Sequence, residues 1–178
     1  NEKSQAFERT YAKRPVLLQV DPRFDLFRKL HPDEVPPTLS RIFGASGILI
    51  LLPSKAAPDV LARYRRLAEM WAKDDSKAIE IALDADVTEL PTDAAVWIFG
   101  DENLHEGLVR ADLAKRAADL DGDAFRLGRA RFDRATNSIV LAVRHPASPG
   151  GAAAFLSIGH ADAVAGLARK LLHYGKYS

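Results

Sequence analysis

The spacing of apolar residues changes several times along this chain, and each change predicts an element. In GILILLP, Ile48 to Leu52 are apolar with no polar residue between them. A strand of that kind is buried on both faces, as in a parallel sheet covered by helices. From Pro58 the spacing becomes helical. Val60, Leu61, Tyr64, Leu67, Ala68 and Trp71 recur at one-turn intervals, while Arg63, Arg65 and Arg66 fall mostly outside that stripe. AIEIAL and AAVWIF, ending at Leu83 and Phe99, read as a second and a third strand. A helix is expected from about Leu104 to Ala118, followed by a turn at DLDGDAF. FRLGRARFD and SIVLAVRHP, joined by RATN, predict a β-hairpin with a loop of about four residues. AAAFLSIG is a last strand, and Val164, Leu167, Ala168, Leu171 and Leu172 stripe a final helix.

The N-terminal part is organised differently. Residues 1–15 are polar and read as a tail. VLLQV, from Val16 to Val20, predicts a short strand, and Phe24, Phe27 and Leu30 recur at the spacing of one or two helical turns. HPDEVPP, with Pro32, Pro36 and Pro37, is a break. It divides the chain into a tail and docking arm, 1–37, and an α/β domain, 38–178, that opens with a short helix running to Phe43 and stopped by Gly44. The arm carries too many apolar residues for a free tail. It is expected to dock on a neighbouring domain of a parent chain, on the domain surface, or on a second copy in a homodimer. The order of elements implies a mostly parallel sheet of roughly five to six strands with helices on both faces. The expected fold class is α/β, a three-layer Rossmann- or flavodoxin-like sandwich with a β-hairpin and an N-terminal arm.

Composition narrows the function classes. Of 178 residues, 47% are hydrophobic and 28% charged, the profile of a globular domain. The 25 basic and 24 acidic residues leave a net charge of +1, which argues against a nucleic-acid binder. There is no cysteine, so disulfides, thiolate metal sites and a cysteine nucleophile are excluded. The apolar run from Ile48 to Pro53 is far too short for a transmembrane segment.

Candidate chemistry is sparse. His105-Glu106 begins a zinc-peptidase motif, but Val109 stands where the second histidine would complete the metal grip. Gly44-Ala45-Ser46-Gly47 lacks the final glycine of a nucleophile elbow, and its strand follows the serine instead of preceding it. His31, His145, His160 and His173 show no metal-ligand spacing, and Asp21, Asp25, Asp33 and Glu34 form no marked acid/base pair. No catalytic residue, metal ligand or cofactor is therefore expected in this chain. The best ligand-binding candidate is the strand-to-helix loop Gly100-Asp101-Glu102-Asn103. Open α/β sheets bind ligands outside the carboxyl ends of their strands, and a helix N-terminus behind the loop favours an anion. Gly100, Asp101 and Asn103, with His145 and the Pro146–Gly151 loop nearby, would form a small-molecule or nucleotide site. Asp and Asn at such a turn are also ordinary helix caps.

Two stretches carry a family resemblance. VDPRFDLFRKLHPDEVPPTLSRIFG, from Val20 to Gly44, and RKLLHYGKYS, from Arg169 to Ser178, resemble the region downstream of the catalytic unit in bacterial exported zinc aminopeptidases of the aminopeptidase N type. There an Asp-Pro-x-x-Asp-x-Phe-Arg segment leads into an extra α/β domain. AVWIFGDEN and SIVLAVRHPASPGGAAAFLSIG are similar to an α/β module appended to several secreted hydrolases. The resemblance touches about half of the chain, and no segment matches the zinc motif. It implies a non-catalytic accessory or interaction domain of a larger, extracytoplasmic, peptidase-like protein, here in the form of an excised piece. Its partners would be the neighbouring domain or another protein. The other expectation is a small-molecule or nucleotide binder using the 100–103 loop.

Overall fold

The computed structural model describes residues 6–19, 21–23, 25–31, 34–73, 78–148 and 151–174, with the backbone alone for Ala152 and for residues 172–174. The chain forms two units, residues 1–31 and residues 32–178.

The second unit is a mixed α/β structure. In chain order its elements are α1 (Leu39–Phe43), β1 (Gly47–Leu52), α2 (Pro58–Ala72), β2 (Ala78–Leu83), β3 (Ala95–Phe99) and α3 (Glu106–Leu113). These are followed by β4 (Ala118–Asp121), β5 (Ala124–Leu127), β6 (Ala130–Asp133), β7 (Ile139–Arg144), β8 (Ala152–Ser157) and α4 (Ala163–Tyr174). Five strands form one sheet in the order β2-β1-β3-β8-β7. The first four run parallel, and β7 closes the edge antiparallel to β8. The chain leaves β1 for β2 on one side, then crosses to β3 on the other. The strand order therefore reverses between β1 and β3, the position where open α/β sheets leave a crevice.

Alternate residues of the central strands feed two cores. Ile48, Ile50, Leu52, Trp97, Phe99 and Leu156 pack with residues of α1, α2 and α4 on one face. Leu49, Leu51, Val96, Ile98 and Phe155 pack on the other face with Val109 and Leu113 of α3 and with Leu120 and Phe125 of the small sheet. This double burial is the reason the central strands lack polar alternation. On the helical face Phe43, Trp71, Trp97 and Phe99 form an aromatic cluster, with the two indole centroids 5.0 Å apart at 60°. Pro58 at the first turn of α2 supplies the fixed φ that a helix start needs, and Tyr64, Leu67, Ala68 and Trp71 are its buried stripe.

The segment expected to form a single hairpin is built otherwise. β4, β5 and β6 make a separate antiparallel meander. DLDGDAF is two strand ends around Gly122-Asp123, and FRLGRARFD is two strands around Gly128-Arg129. The glycines have φ +46° and +58°, which a two-residue hairpin loop requires at its first position. RATN connects the meander to β7, and β7 pairs with β8 instead of with 125–133. The expected helix to Ala118 ends earlier. After Leu113 the chain tightens into a single 3₁₀ turn, Ala114–Arg116, and Ala117 at φ +53° reverses it into β4.

The first unit holds neither the strand at 16–20 nor the helix at 24–30 among its described residues; Val20 and Phe24 lie outside them. Asp21, at φ +53°, accepts the main-chain N–H of Asp25 on Oδ1 at 2.8 Å and of Leu26 on Oδ2 at 3.1 Å. Side-chain capture of backbone donors competes with helix formation. Val16, Leu17, Leu18, Leu26 and Phe27 are exposed.

Candidate functional site

At the carboxyl end of the sheet, three loops meet: the one after β1, the one after β3 and the one after β8. Gly100 leads out of β3 with φ +82° and donates its N–H to Leu156 O at 2.9 Å. A Cβ there would stand 2.9 Å from Pro53 Cγ and 3.0 Å from Tyr64 Cε2. Both the backbone conformation and the close packing therefore demand glycine. Tyr64 in turn accepts the Ile158 N–H at 3.1 Å, tying α2 to the end of β8. Burial pushes its hydroxyl pKa up to about 12, so it stays neutral.

The crevice between β1 and β3 is closed by two side chains. Asn103, 4% exposed, donates from Nδ2 to Leu51 O at 3.0 Å and to Phe99 O at 3.2 Å. Its Oδ1 accepts the His105 N–H at 3.0 Å. The carboxamide thus bridges the two strand ends at the point where their order reverses. Asp84, 1% exposed, follows β2 directly. One carboxylate oxygen accepts the Ser54 N–H at 2.9 Å and the other the Leu104 N–H at 2.7 Å. Burial alone would raise its pKa, but hydrogen bonds from Ser54 and Leu104 outweigh that and hold it below the usual carboxylate value. Asp84 thus binds one main-chain donor from the loop after β1 and one from the loop after β3.

Asp101 lies on the outer side of the same loop. It forms an ion pair with Arg134 and accepts the Ser157 hydroxyl on Oδ2 at 3.0 Å. Arg134 also donates to Gly122 O at 2.8 Å, so it joins the main sheet to the meander. Asp101, Arg110, Asp123, Asp133, Arg134 and Ser157 line a cleft of about 660 Å³. It offers charges of both signs and no imidazole to act as a base.

The structure brings Gly100, Asp101 and Asn103 together but not His145. β7 ends at Arg144 opposite Ala152, the first residue of β8. His145 therefore follows at the opposite end of the sheet from Gly100, about 20 Å along the strands. It is buried, and its Nδ1 accepts the Ala147 N–H at 3.2 Å. Burial lowers its pKa, opposed by a backbone contact at Pro91. The following Pro146-Ala147 lines a second cleft with Leu90, Leu104, His105 and Leu108. His105 contacts Val87 O through Nε2 at 2.9 Å, which makes that nitrogen the donor. Glu106 pairs with Arg110 one turn on. Among the described residues, no three His, Cys, Asp or Glu side chains are grouped so that they could hold a metal ion. No helix among them is long and apolar enough to cross a membrane.

Asp84, Arg134 and Ser157 are absent from the candidates read along the chain. Asp84 carries a weak signal, an acid set at the carboxyl end of a strand. Arg134 and Ser157 carry none, because their partner Asp101 is distant in sequence. Compared with models of known protein families, with curated proteins and with solved structures, the chain matches none.

Proposed function

We propose that this chain is a non-catalytic accessory domain of a larger, exported bacterial protein of the aminopeptidase N type. The observation that carries this reading is the closed crevice between β1 and β3. In ligand-binding α/β sheets that crevice presents free backbone donors to an incoming group. Here Asp84 occupies the donors of Ser54 and Leu104, and Asn103 ties Leu51 to Phe99. On this reading the domain is a relative of the Rossmann- or flavodoxin-like sandwiches, and its mostly parallel sheet uses the point where the strand order reverses for internal cohesion. The parent's identity rests on the likeness of segments 20–44 and 169–178 to the region after the catalytic unit in those peptidases. The partner is then the neighbouring domain or another protein. The exposed Val16, Leu17, Leu18, Leu26 and Phe27 give the arm the chemistry to dock there.

Purified chain should hydrolyse no aminoacyl anilide and retain no zinc after dialysis. One equivalent of retained zinc together with chelator-sensitive hydrolysis would overturn the proposal. The same proposal expects a His-Glu-x-x-His segment in the coding region upstream of Asn1.

A second reading, a small-molecule binder, draws on the cleft beside Asp101. A ligand of the folded state raises its melting temperature. If a nucleotide or amino-acid panel produced a shift of several degrees that Asp101→Ala abolished, this reading would replace the first.

A further inference from the structure

The meander leaves one strand uncovered. Every residue of β6 is exposed, whereas β4 and β5 each contribute residues to the core. The faces alternate across the register. Leu120, Phe125 and Phe132 stand in one row on the core side, and Asp119, Arg126 and Arg131 stand in the next row on the opposite side. Phe132 stacks on Phe125 with centroids 6.2 Å apart and extends the apolar row beyond the core, where it is half exposed. Leu127, also half exposed, lies on the same side of the meander.

The outer edge of β6 has a definite hydrogen-bonding phase. The Arg134 N–H donates to Asp123 O, which marks 123 and 134 as a bonded pair. By alternation Phe125 and Phe132 are bonded, while Ala124–Asp133 and Arg126–Arg131 are not. The main-chain groups of Arg131 and Asp133 therefore face away from β5. Asp133 O is taken up by Asn137 N and Nδ2 in the following turn. The Asp133 N–H and both main-chain groups of Arg131 have no partner among the described residues. Arg131 also lies directly opposite Arg126, a like-charge pair, and Arg126 already bonds Asp121 at 2.9 Å.

We propose that β6 is the interface for a second copy of this chain, pairing antiparallel about a two-fold axis at Phe132. Charge selects this register. An antiparallel two-fold pairing through the outward residues can set Arg131 against Arg131, Asp133 against Asp133, or Arg131 against Asp133. The first two oppose like charges, and the third forms two symmetry-related ion pairs. It also gives two main-chain bonds, from each Asp133 N–H to the partner's Arg131 carbonyl. Phe132 meets its own copy in a non-bonded position, where cross-strand side chains approach most closely. The two Phe125–Phe132 stacks join into one aromatic row across a six-stranded sheet. The occupant is a copy of the chain because the edge carries both members of the ion pair, as an isologous contact requires.

Sedimentation equilibrium on the whole chain is the test, run up to about 100 μM, where a micromolar dimer is largely formed. A reversible monomer–dimer equilibrium is expected. Arg131→Asp, Asp133→Arg and Phe132→Ala should each raise the dimer dissociation constant about tenfold or more. An equimolar mixture of Arg131→Asp and Asp133→Arg should regain the dimer, because each reversed charge then faces an opposite one. That recovery also shows that both variants are folded. A monomer at every concentration, a dimer insensitive to Arg131→Asp and Phe132→Ala, or folded variants that fail to recover on mixing would each overturn the proposal. A monomer would leave the accessory-domain reading untouched, since that rests on the closed crevice.

Discussion

Asn103 donates to the main-chain carbonyl of Leu51, 52 positions earlier in the chain, and so fastens the ends of two parallel strands side by side. The same amide reaches Phe99 O, and its oxygen accepts the His105 N–H. Asn103→Ala removes all three bonds and leaves buried carbonyls bare. A loss of about 2–4 kcal/mol in unfolding free energy is expected, measured by urea titration. Asn103→Asp should be worse at pH 7, because a carboxylate would face two carbonyl oxygens. That repulsion raises the folded-state pKa of the new acid. Its deficit should therefore shrink as pH falls toward about 4, where the group becomes protonated.

Asp84 gives a pH dependence of defined sign. Its folded-state pKa is held low, while in the unfolded chain an aspartate titrates near about 3.9. The unfolded chain thus binds the proton first as pH falls. The stability Asp84 contributes is complete above about pH 4 and is lost as pH drops through the folded-state value. Asp84→Asn should cost about 1–3 kcal/mol at pH 7. Urea midpoints of the two proteins should draw together as pH falls below about 4 toward the depressed folded-state value.

His145 titrates in a different window. Burial depresses its folded-state pKa, whereas the unfolded imidazole titrates near about 6.5. Its contribution is present above about pH 6.5 and declines as pH falls toward the depressed value. Denaturation of the parent chain and of His145→Gln at pH 7 and pH 5 should show the parent losing more stability than the variant.

Gly100→Ala combines an unfavourable backbone region with contacts under or near 3.0 Å to Pro53 and Tyr64. About 2–4 kcal/mol of destabilisation is expected, with a melting temperature several degrees lower. A variant as stable as the parent would mean that the β3 loop moves freely, and that the crevice is not rigidly closed.

The main sheet was legible because its central strands carry apolar residues on both faces, and only burial between two layers allows that. The amphipathic stripe of α2 was legible for the matching reason. The meander was not. Its strands have four residues each, and in FRLGRARFD the only mark of the turn is a one-residue change of phase, from Phe125 and Leu127 before Gly128 to Ala130 and Phe132 after it. A Gly-Arg loop is a weaker turn signal than Asn-Gly. In the arm, the described residues from Asp25 to Leu30 are not helical despite the spacing of Phe27 and Leu30, and one carboxylate, Asp21, bonds the main chain of Asp25 and Leu26. At the site, Gly100, Asp101 and Asn103 could be grouped because a single loop holds them. His145 stands at the other end of the sheet from that loop because the direction of β7 is decided by pairing with β8, which nothing local encodes. Asp84 and Arg134 reach the site from distant segments and become visible only in three dimensions.

The aromatic cluster has a spectroscopic consequence. The chain has two tryptophans, and both sit on the helical face of the sheet with centroids 5.0 Å apart. Intrinsic fluorescence is therefore a one-sided reporter. It follows the docking of α2 and α1 onto β3 and is blind to detachment of the meander, whose aromatic rings are Phe125 and Phe132. An emission-monitored melt and an amide-exchange experiment on this protein should differ wherever β4, β5 and β6 open before the rest. Tyrosine or tryptophan placed at Phe132 would give that half of the molecule a signal of its own.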